Sequence, residues 1–436
     1  MMPSKERQEK LNEITVSVLS VLSPSDLSER LASLSIKQAS TTLFLEEILG
    51  GSLGLGASDI HFEPTRDTVQ IRTRVDGILR EVGALTHDEY KYILSRIKLL
   101  GGIKFNIYEK AQDGRFTILS RENKRNIEVR ASISPSEYGS TIVLRIFDPE
   151  AVVVEINNIG LRLDGLNKIM SNLKKPNGMI LVTGPTGSGK TTTLYSFINH
   201  INTSEIKIIT IEDPIEYRLK GIQQTQVDAS AGYDFGNGLR SIMRQDPDAI
   251  LVGEIRDTET AAIAIQAALT GHLVFSTLHT NTAAGAIPRL LDLGAKPHSI
   301  GPSVNVIIAQ RLVRKLCPIC RRKIELNEEN HKKIRKFITE TFPKAFLSEP
   351  QEALVHEPVG CSSCIDGYKG RTGIFEIFEI DKDIEQLIHK ESSEVEIEKC
   401  ALEKGFINMQ QDGVIKALTG VTSLLEVEKI TGPIVW

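Results

Sequence analysis

Apolar residues change their spacing several times along the chain, and each change marks a different kind of element. The first 40 or so residues, rich in Ser, Leu and Glu, read as mostly helical. Phe44, Leu45, Ile48 and Leu49 continue a helical stripe into the break Gly50-Gly-Ser-Leu-Gly54. From Ala57 the period drops to two. Val69-Gln-Ile-Arg-Thr-Arg-Val75 alternates apolar and polar positions, Asp76-Gly77 supplies a tight turn, and Ile78 to Val82 returns as the second strand of a hairpin. A helix is predicted around Tyr90 to Leu100, and short strands between Arg115 and Phe147. Strands, helix and strands again make a small α+β domain of about 100 residues, followed by a linker from Pro149 to Asn158.

From Gly178 the texture becomes α/β. Short apolar runs (Met179 to Thr183, Ile206 to Ile211, Ala249 to Val252, Leu273 to Thr277) alternate with helical segments such as Thr191 to Ile201 and Thr258 to Leu269. Such alternation predicts a mostly parallel sheet covered on both faces. The tail from Asp381 reads as two or three amphipathic helices, with breaks at Gly405, Asp412-Gly413 and Gly420. No internal repeat interrupts this order.

Composition narrows the class. A chain of 436 residues implies about three domains at the usual domain size. With 41% hydrophobic and 25% charged residues it has the balance of a globular protein. Lys plus Arg total 52 against 56 Asp plus Glu, a formal charge of -4, so there is no global pull toward nucleic acid or anionic lipid. No apolar run approaches the roughly 20 residues that a membrane span requires. The serine-interrupted Ile14 to Leu22 lacks the apolar core of a secretory signal, which points to a reducing, cytoplasmic setting.

The first chemical signal is Gly184-Pro-Thr-Gly-Ser-Gly-Lys-Thr191, a complete G-x-x-x-x-G-K-[ST] loop after a predicted strand and before a predicted helix. Its glycines (Gly184, Gly187, Gly189), with Pro185, Thr186, Ser188 and the following Thr192, turn backbone N–H groups toward phosphates. Lys190 is expected at the β- and γ-phosphates and Thr191 on Mg²⁺, so ATP and Mg²⁺ are the expected ligands. Ile250-Leu-Val-Gly-Glu254 is a buried strand ending in a carboxylate, with Gly253 where many such enzymes carry Asp, so Glu254 is the expected catalytic carboxylate. Glu212, Asp213 and Glu216 cluster at another strand tip and are expected to assist the metal. His272 and His279 bracket a further strand, and at least one is expected to sense the γ-phosphate.

The five cysteines give a second signal. Cys317-Pro-Ile-Cys320 and Cys361-Ser-Ser-Cys364 are two C-x-x-C knuckles separated by 40 residues, and Cys400 stands alone. Two knuckles deliver four thiolates to one tetrahedral Zn²⁺, and four protein ligands leave no open position, so the site is expected to be structural.

Together these residues resemble the secretion ATPase superfamily, in particular its type II secretion and type IV pilus assembly branch. The matching segments are Ala57-Ser-Asp-Ile-His-Phe-Glu-Pro64, Arg74-Val-Asp-Gly77, Gln112-Asp-Gly-Arg115, the phosphate loop and Ile211-Glu-Asp-Pro-Ile-Glu-Tyr217. They continue with Arg244-Gln-Asp-Pro-Asp248, Val252-Gly-Glu-Ile-Arg-Asp257 and Thr270-Gly-His-Leu-Val-Phe-Ser-Thr-Leu-His-Thr-Asn281. The resemblance implies an α/β fold with a RecA-like P-loop core, a smaller α+β (PAS-like) N-terminal domain, a zinc-knuckle module and a C-terminal helical region. The corresponding boundaries are a short helical 1–50, an N-terminal domain 51–148, a core 149–314, a tetracysteine module 315–372 and a helical 373–436. It also implies a homo-hexameric ATP-hydrolysing motor, cytoplasmic and peripheral to the inner membrane, acting through a platform protein and with no direct nucleic-acid substrate. By motif position it assigns Arg130 and Arg145 to the phosphates, Glu254 to catalysis, Glu212 to the acidic box, and Arg244 and His279 to supporting roles.

Three segments depart from the family pattern. Only about 50 residues precede the first motif, fewer than the docking domain of many relatives. Tyr108 to Arg115 is shorter than the expected form, and Ser140 stands where relatives carry an acidic residue. Two other readings remain open on the residues: a nucleic-acid-translocating ring ATPase, and a zinc-bearing scaffold without catalysis. The balanced charge and the intact acidic and histidine boxes favour the motor over both.

Overall fold

A computed structural model describes residues 12–34, 41–122, 125–148, 154–325, 328–342 and 355–435. The chain forms two compact units, Met1–Ala151 with Gly360–Lys369, and Val152–Val359 with Gly370–Trp436.

The first unit is built on a seven-stranded sheet. In chain order its strands are β1 (Glu13–Val16), β2 (Asp59–Pro64), β3 (Val69–Val75), β4 (Ile78–Leu85), β5 (Gln112–Ser120), β6 (Asn126–Ser136) and β7 (Gly139–Phe147), arranged β1-β5-β6-β7-β2-β3-β4. The predicted hairpin is β3–β4. Val75 pairs with Ile78, and Asp76 and Gly77 both take positive φ (50° and 85°), as the two central residues of a type I′ turn must. Helices Pro24–Ala32, Thr41–Gly54 and His87–Leu100 accompany the sheet.

The N-terminal stretch differs from expectation. Residues 1–11 and 35–40 lie outside the described residues, but Glu13–Val16 is a strand, not a helix, paired in parallel with β5. Its Ile14 and Val16, with Leu27, Leu31, Phe44, Leu45, Ile48 and Leu49, share one core with Ile60, Phe62, Ile118 and Leu144. The described residues before 51 are thus continuous with the first unit's core. Of the expected linker, 149–153 lies outside the described residues and Ile156–Asn158 forms a 3-10 turn.

The second unit contains β8 (Gly178–Thr183), β9 (Ile208–Glu212), β10 (Gln223–Gln226), β11 (Ala249–Val252), β12 (Leu273–Leu278), β13 (Val304–Leu316) and, after the short pair β14 (Arg322–Lys323) and β15 (His356–Glu357), β16 (Tyr368–Glu379). The large sheet runs β10-β9-β11-β12-β8-β13-β16, and the pairs from β10 to β13 are all parallel. Every residue of β8, β9, β11 and β12 is buried, as expected of parallel strands covered on both faces. Alternate residues feed two cores. Met179 and Leu181 join Leu239, Ala264 and Ile287 on one face, while Ile180 and Val182 join Leu194, Phe197 and Ile169 on the other.

The tail forms four helices, Lys382–His389, Glu394–Glu403, Met409–Leu418 and Leu424–Thr431. Ile384, Ile388, Phe406 and Met409 belong to the same core as the sheet face carrying Met179 and Leu181. Breaks fall at Gly405 and Gly420, both at positive φ, but Asp412-Gly413 lies inside a helix. Gly413 marks a close approach: a Cβ there would sit 2.7 Å from Val427 Cγ1. Asp412 is held by Arg162 Nη1 (2.6 Å), Lys416 Nζ (2.6 Å) and the Phe375 N–H (2.7 Å), so its buried charge is paired on every side. Among the described residues, no helix is long and apolar enough to cross a membrane.

Candidate functional site

Because β8, β9, β11 and β12 are parallel, everything that follows their last residues collects at one edge of the sheet. Gly184 follows β8, Glu212 ends β9, Glu254 lies two residues beyond β11 and His279 follows β12. At this edge the phosphate loop opens the helix Lys190–Ile201, whose N-cap Gly189 has φ 88°. Gly184 (φ 145°) cannot be replaced without a clash, since a Cβ would meet Gln310 O at 2.5 Å and Ser188 Oγ at 2.7 Å. At Gly187 a Cβ would meet nothing within 4 Å, so the outer rim of the loop is open. Lys190 Nζ donates to Gly184 O (2.8 Å) and Pro185 O (3.1 Å) of the same loop. Burial lowers its pKa, and the nearby Glu254 charge opposes that.

Glu254 is mostly buried and bonds Arg256 Nε at 2.5 Å and His279 Nε2 at 3.3 Å. Gly253 explains the missing Asp. Its N–H donates to Ile211 O (2.8 Å), and a Cβ there would lie 3.3 Å from that oxygen, so a side chain would fit only if the ends of β9 and β11 shifted by a few tenths of an ångström. Glu212 has both oxygens engaged inside the fold. Oε2 accepts from the Tyr195 hydroxyl, and Oε1 from Thr210 Oγ1 (2.6 Å) and Gln224 Nε2 (3.2 Å). Burial raises its pKa against those donors. Glu212 therefore grips the phosphate-loop helix through Tyr195, while Asp213 is exposed.

The two histidines separate. Leu273 pairs with Gly178 and Leu278 with Thr183, so His272 lies at the start of β12 and His279 at its end beside the phosphate loop. Seven residue steps at about 3.3 Å each put them roughly 23 Å apart. His272 Nδ1 instead lies 3.1 Å from Ala267 O. His272 thus sits at the opposite end of its strand from the phosphate loop of its own chain. Arg244 likewise caps the helix Phe235–Met243 and leads into the start of β11, away from its own chain's phosphate loop.

Arg130 and Arg145 are direct partners across β6 and β7 of the first unit. Arg130 Nε bonds Glu128 Oε1 at 3.1 Å, with its guanidinium 4.2 Å from the Phe147 ring centre. Arg145 Nε bonds Asp59 Oδ1 at 3.1 Å and is more than half exposed. No motif marks Tyr195 or Thr183, whose Oγ1 accepts from the Thr280 N–H at 2.8 Å. Gln310, which accepts from Thr193 Oγ1 at 2.7 Å beneath the loop, is likewise unmarked in the sequence.

The residues present fit both expected ions. Ser188 Oγ is buried in the loop without a hydrogen-bond partner, and Thr191 is half-buried in the first turn of the following helix. These are hydroxyls suited to phosphate and to the hard, oxygen-preferring Mg²⁺. The sulfurs of Cys317, Cys320, Cys361 and Cys364 all lie within 4.8 Å of one another, with 3.6 Å between Cys361 and Cys364. A tetrahedral zinc with Zn–S near 2.3 Å needs sulfurs about 3.8 Å apart. Cys400 takes no part in the cluster. Purified protein should therefore carry one zinc per chain by elemental analysis. Cys317→Ser should lose that metal and lower the melting temperature, whereas a metal-free chain melting like the untreated protein would exclude the zinc.

A sequence model described as type II/IV secretion system protein matches residues 36–429. The chain belongs to this secretion ATPase family. Among its relatives, the type II secretion system ATPase E of Vibrio cholerae is 44% identical over 391 residues, covering 89% of this chain and 74% of that one. The type IV pilus assembly ATPase PilB of Pseudomonas aeruginosa is 40% identical over 421 residues, covering 97% and 73%. Among solved structures, the pilus retraction motor PilT with bound ADP is 26% identical with a TM-score of 0.59, covering 89% of this chain and 96% of that one. The Legionella pneumophila ATPase DotB shares the fold at a TM-score of 0.64 and 22% identity, covering 89% and 95%. The secretion-ATPase fold thus accompanies the phosphate loop, Glu254 and His279 at one sheet edge.

Proposed function

We propose that this chain hydrolyses ATP as a homo-hexameric motor at the cytoplasmic face of an inner membrane, powering assembly of type IV pili or type II secretion pseudopili through a platform protein. The convergence of Gly184–Thr191, Glu254 and His279 carries the reading. Lys190 and the loop N–H groups hold the phosphates, and Thr191 is the ligand for Mg²⁺, which when bound offsets charge on the β- and γ-oxygens. Glu254 orients and deprotonates the attacking water, and His279, 3.3 Å away, fixes that carboxylate. Glu212 holds the loop helix in place through Tyr195. Arg130 and Arg145, side by side on their sheet, supply guanidinium charge to the phosphates, and Arg244, at the end of the helix before β11, has a supporting role. The zinc site is structural. The names of the relatives support the class of machine.

Phosphate release measured across a range of protein concentrations tests the ring. Turnover per chain should rise as subunits assemble and then level off. Turnover independent of concentration, with only monomer in solution, would reject the hexameric motor.

A further inference from the structure

The segment from His279 to Gly285 links the histidine beside Glu254 to the helix Ala286–Asp292, and it is fastened at both ends. On the phosphate side, Thr280 N–H donates to Thr183 Oγ1 at 2.8 Å, one residue before the phosphate loop. On the far side it is held by two carboxylates from the C-terminal part of the chain. Glu376, on β16, accepts from the Ala283 N–H at 2.9 Å through Oε2 and from the Met409 N–H at 3.2 Å through Oε1. Glu394, in the first turn of Glu394–Glu403, accepts from the Thr282 hydroxyl, which in turn accepts from the Gly285 N–H at 3.1 Å.

Glu376 is an expensive residue to keep there. Its side chain is buried, and burial, followed by the nearby Glu398 and Glu394, pushes its carboxyl up to about 7 against the pull of its two N–H donors. A buried carboxylate that joins two backbone amides does what no apolar side chain of the same size can do: it fixes a loop to a helix N-terminus. The loop so fixed carries His279, whose Nε2 lies 3.3 Å from Glu254.

We infer that Glu376, aided by Glu394, is a positioning residue for ATP hydrolysis, clamping the histidine loop to the C-terminal helices so that His279 meets Glu254. The inference rests on the ATPase reading above. Through this clamp the C-terminal helices set the geometry of the phosphate site without touching nucleotide, so displacement of those helices alters turnover.

The test uses the full chain and two readouts, amide hydrogen exchange in residues 279–285 and steady-state ATP hydrolysis. Glu376→Gln keeps the shape but turns an NH₂ toward one of the two N–H groups. Thr282→Val removes the Glu394 contact from the loop side and guards against a folding defect at buried Glu376. Both should speed exchange in this loop, and lower kcat about tenfold or more with KM for ATP within about twofold, as small misplacements of catalytic groups do. Glu394→Gln, which retains an oxygen for Thr282, should stay near the unsubstituted chain, while Glu394→Ala should follow Thr282→Val. Unchanged loop exchange in Glu376→Gln and Thr282→Val would overturn the clamp. Faster exchange with unchanged kcat would overturn its role in the reaction. An unsubstituted chain that releases no phosphate would reject the ATPase reading itself, while the exchange measurement would still decide the clamp.

Discussion

Lys190→Ala should abolish nearly all ATP turnover while leaving the fold intact. Among the described residues, the side chain makes two hydrogen bonds, to the carbonyls of Gly184 and Pro185, both belonging to the loop that carries it. Each is worth about 1 kcal/mol net, so its loss changes stability little. Its expected contribution to the reaction is larger, because in the proposed mechanism its charge meets the negative charge that gathers on the β- and γ-phosphoryl oxygens. Removing one such preorganised donor costs on the order of 100- to 1000-fold in rate. Phosphate release should fall by that factor and nucleotide affinity should weaken in a fluorescent-analogue titration, with the melting temperature held. Turnover equal to that of the unsubstituted chain would remove the phosphate loop from the mechanism.

What could be read from the sequence was what depends on neighbours in the chain. The phosphate loop is one uninterrupted segment, and the Asp76-Gly77 turn needs only two residues tolerant of positive φ between alternating strands. The carboxylate at Glu254 was legible because it follows an apolar strand directly. Contacts that join distant segments were not. His272 and His279 look alike in sequence, and only the parallel register of β12 on β8 shows that one of them lies at the strand end away from the phosphate loop. Gly413 reads as a helix breaker because glycine usually is one, yet here close approach by Val427 requires it. Glu13–Val16 is too short for a period to declare itself, and its strand geometry comes from pairing with β5, about a hundred residues on. Glu212 announces itself as an acidic strand tip, but its partner Tyr195 lies on the phosphate-loop helix and turns the carboxylate inward.

Glu254→Gln should separate binding from chemistry. The substitution keeps the volume and planarity of the side chain, and an amide oxygen still accepts from Arg256 and His279, so the sheet edge keeps its shape. What disappears is the negative charge and the capacity to take a proton from water. General-base catalysis contributes typically 10²- to 10⁴-fold, so kcat should fall by at least about 100-fold. Binding should move the other way or not at all. Glu254 carries the same sign of charge as the triphosphate, and without it Lys190 loses a competitor for its own charge. ATP affinity in the Gln variant should therefore equal or exceed that of the unsubstituted chain. This split distinguishes the two residues: Lys190→Ala weakens binding together with turnover, while Glu254→Gln traps bound ATP. A Gln variant with near-normal kcat would reject Glu254 as the base. A Gln variant that lost turnover together with ATP binding would show instead that the carboxylate shapes the site rather than acts in it.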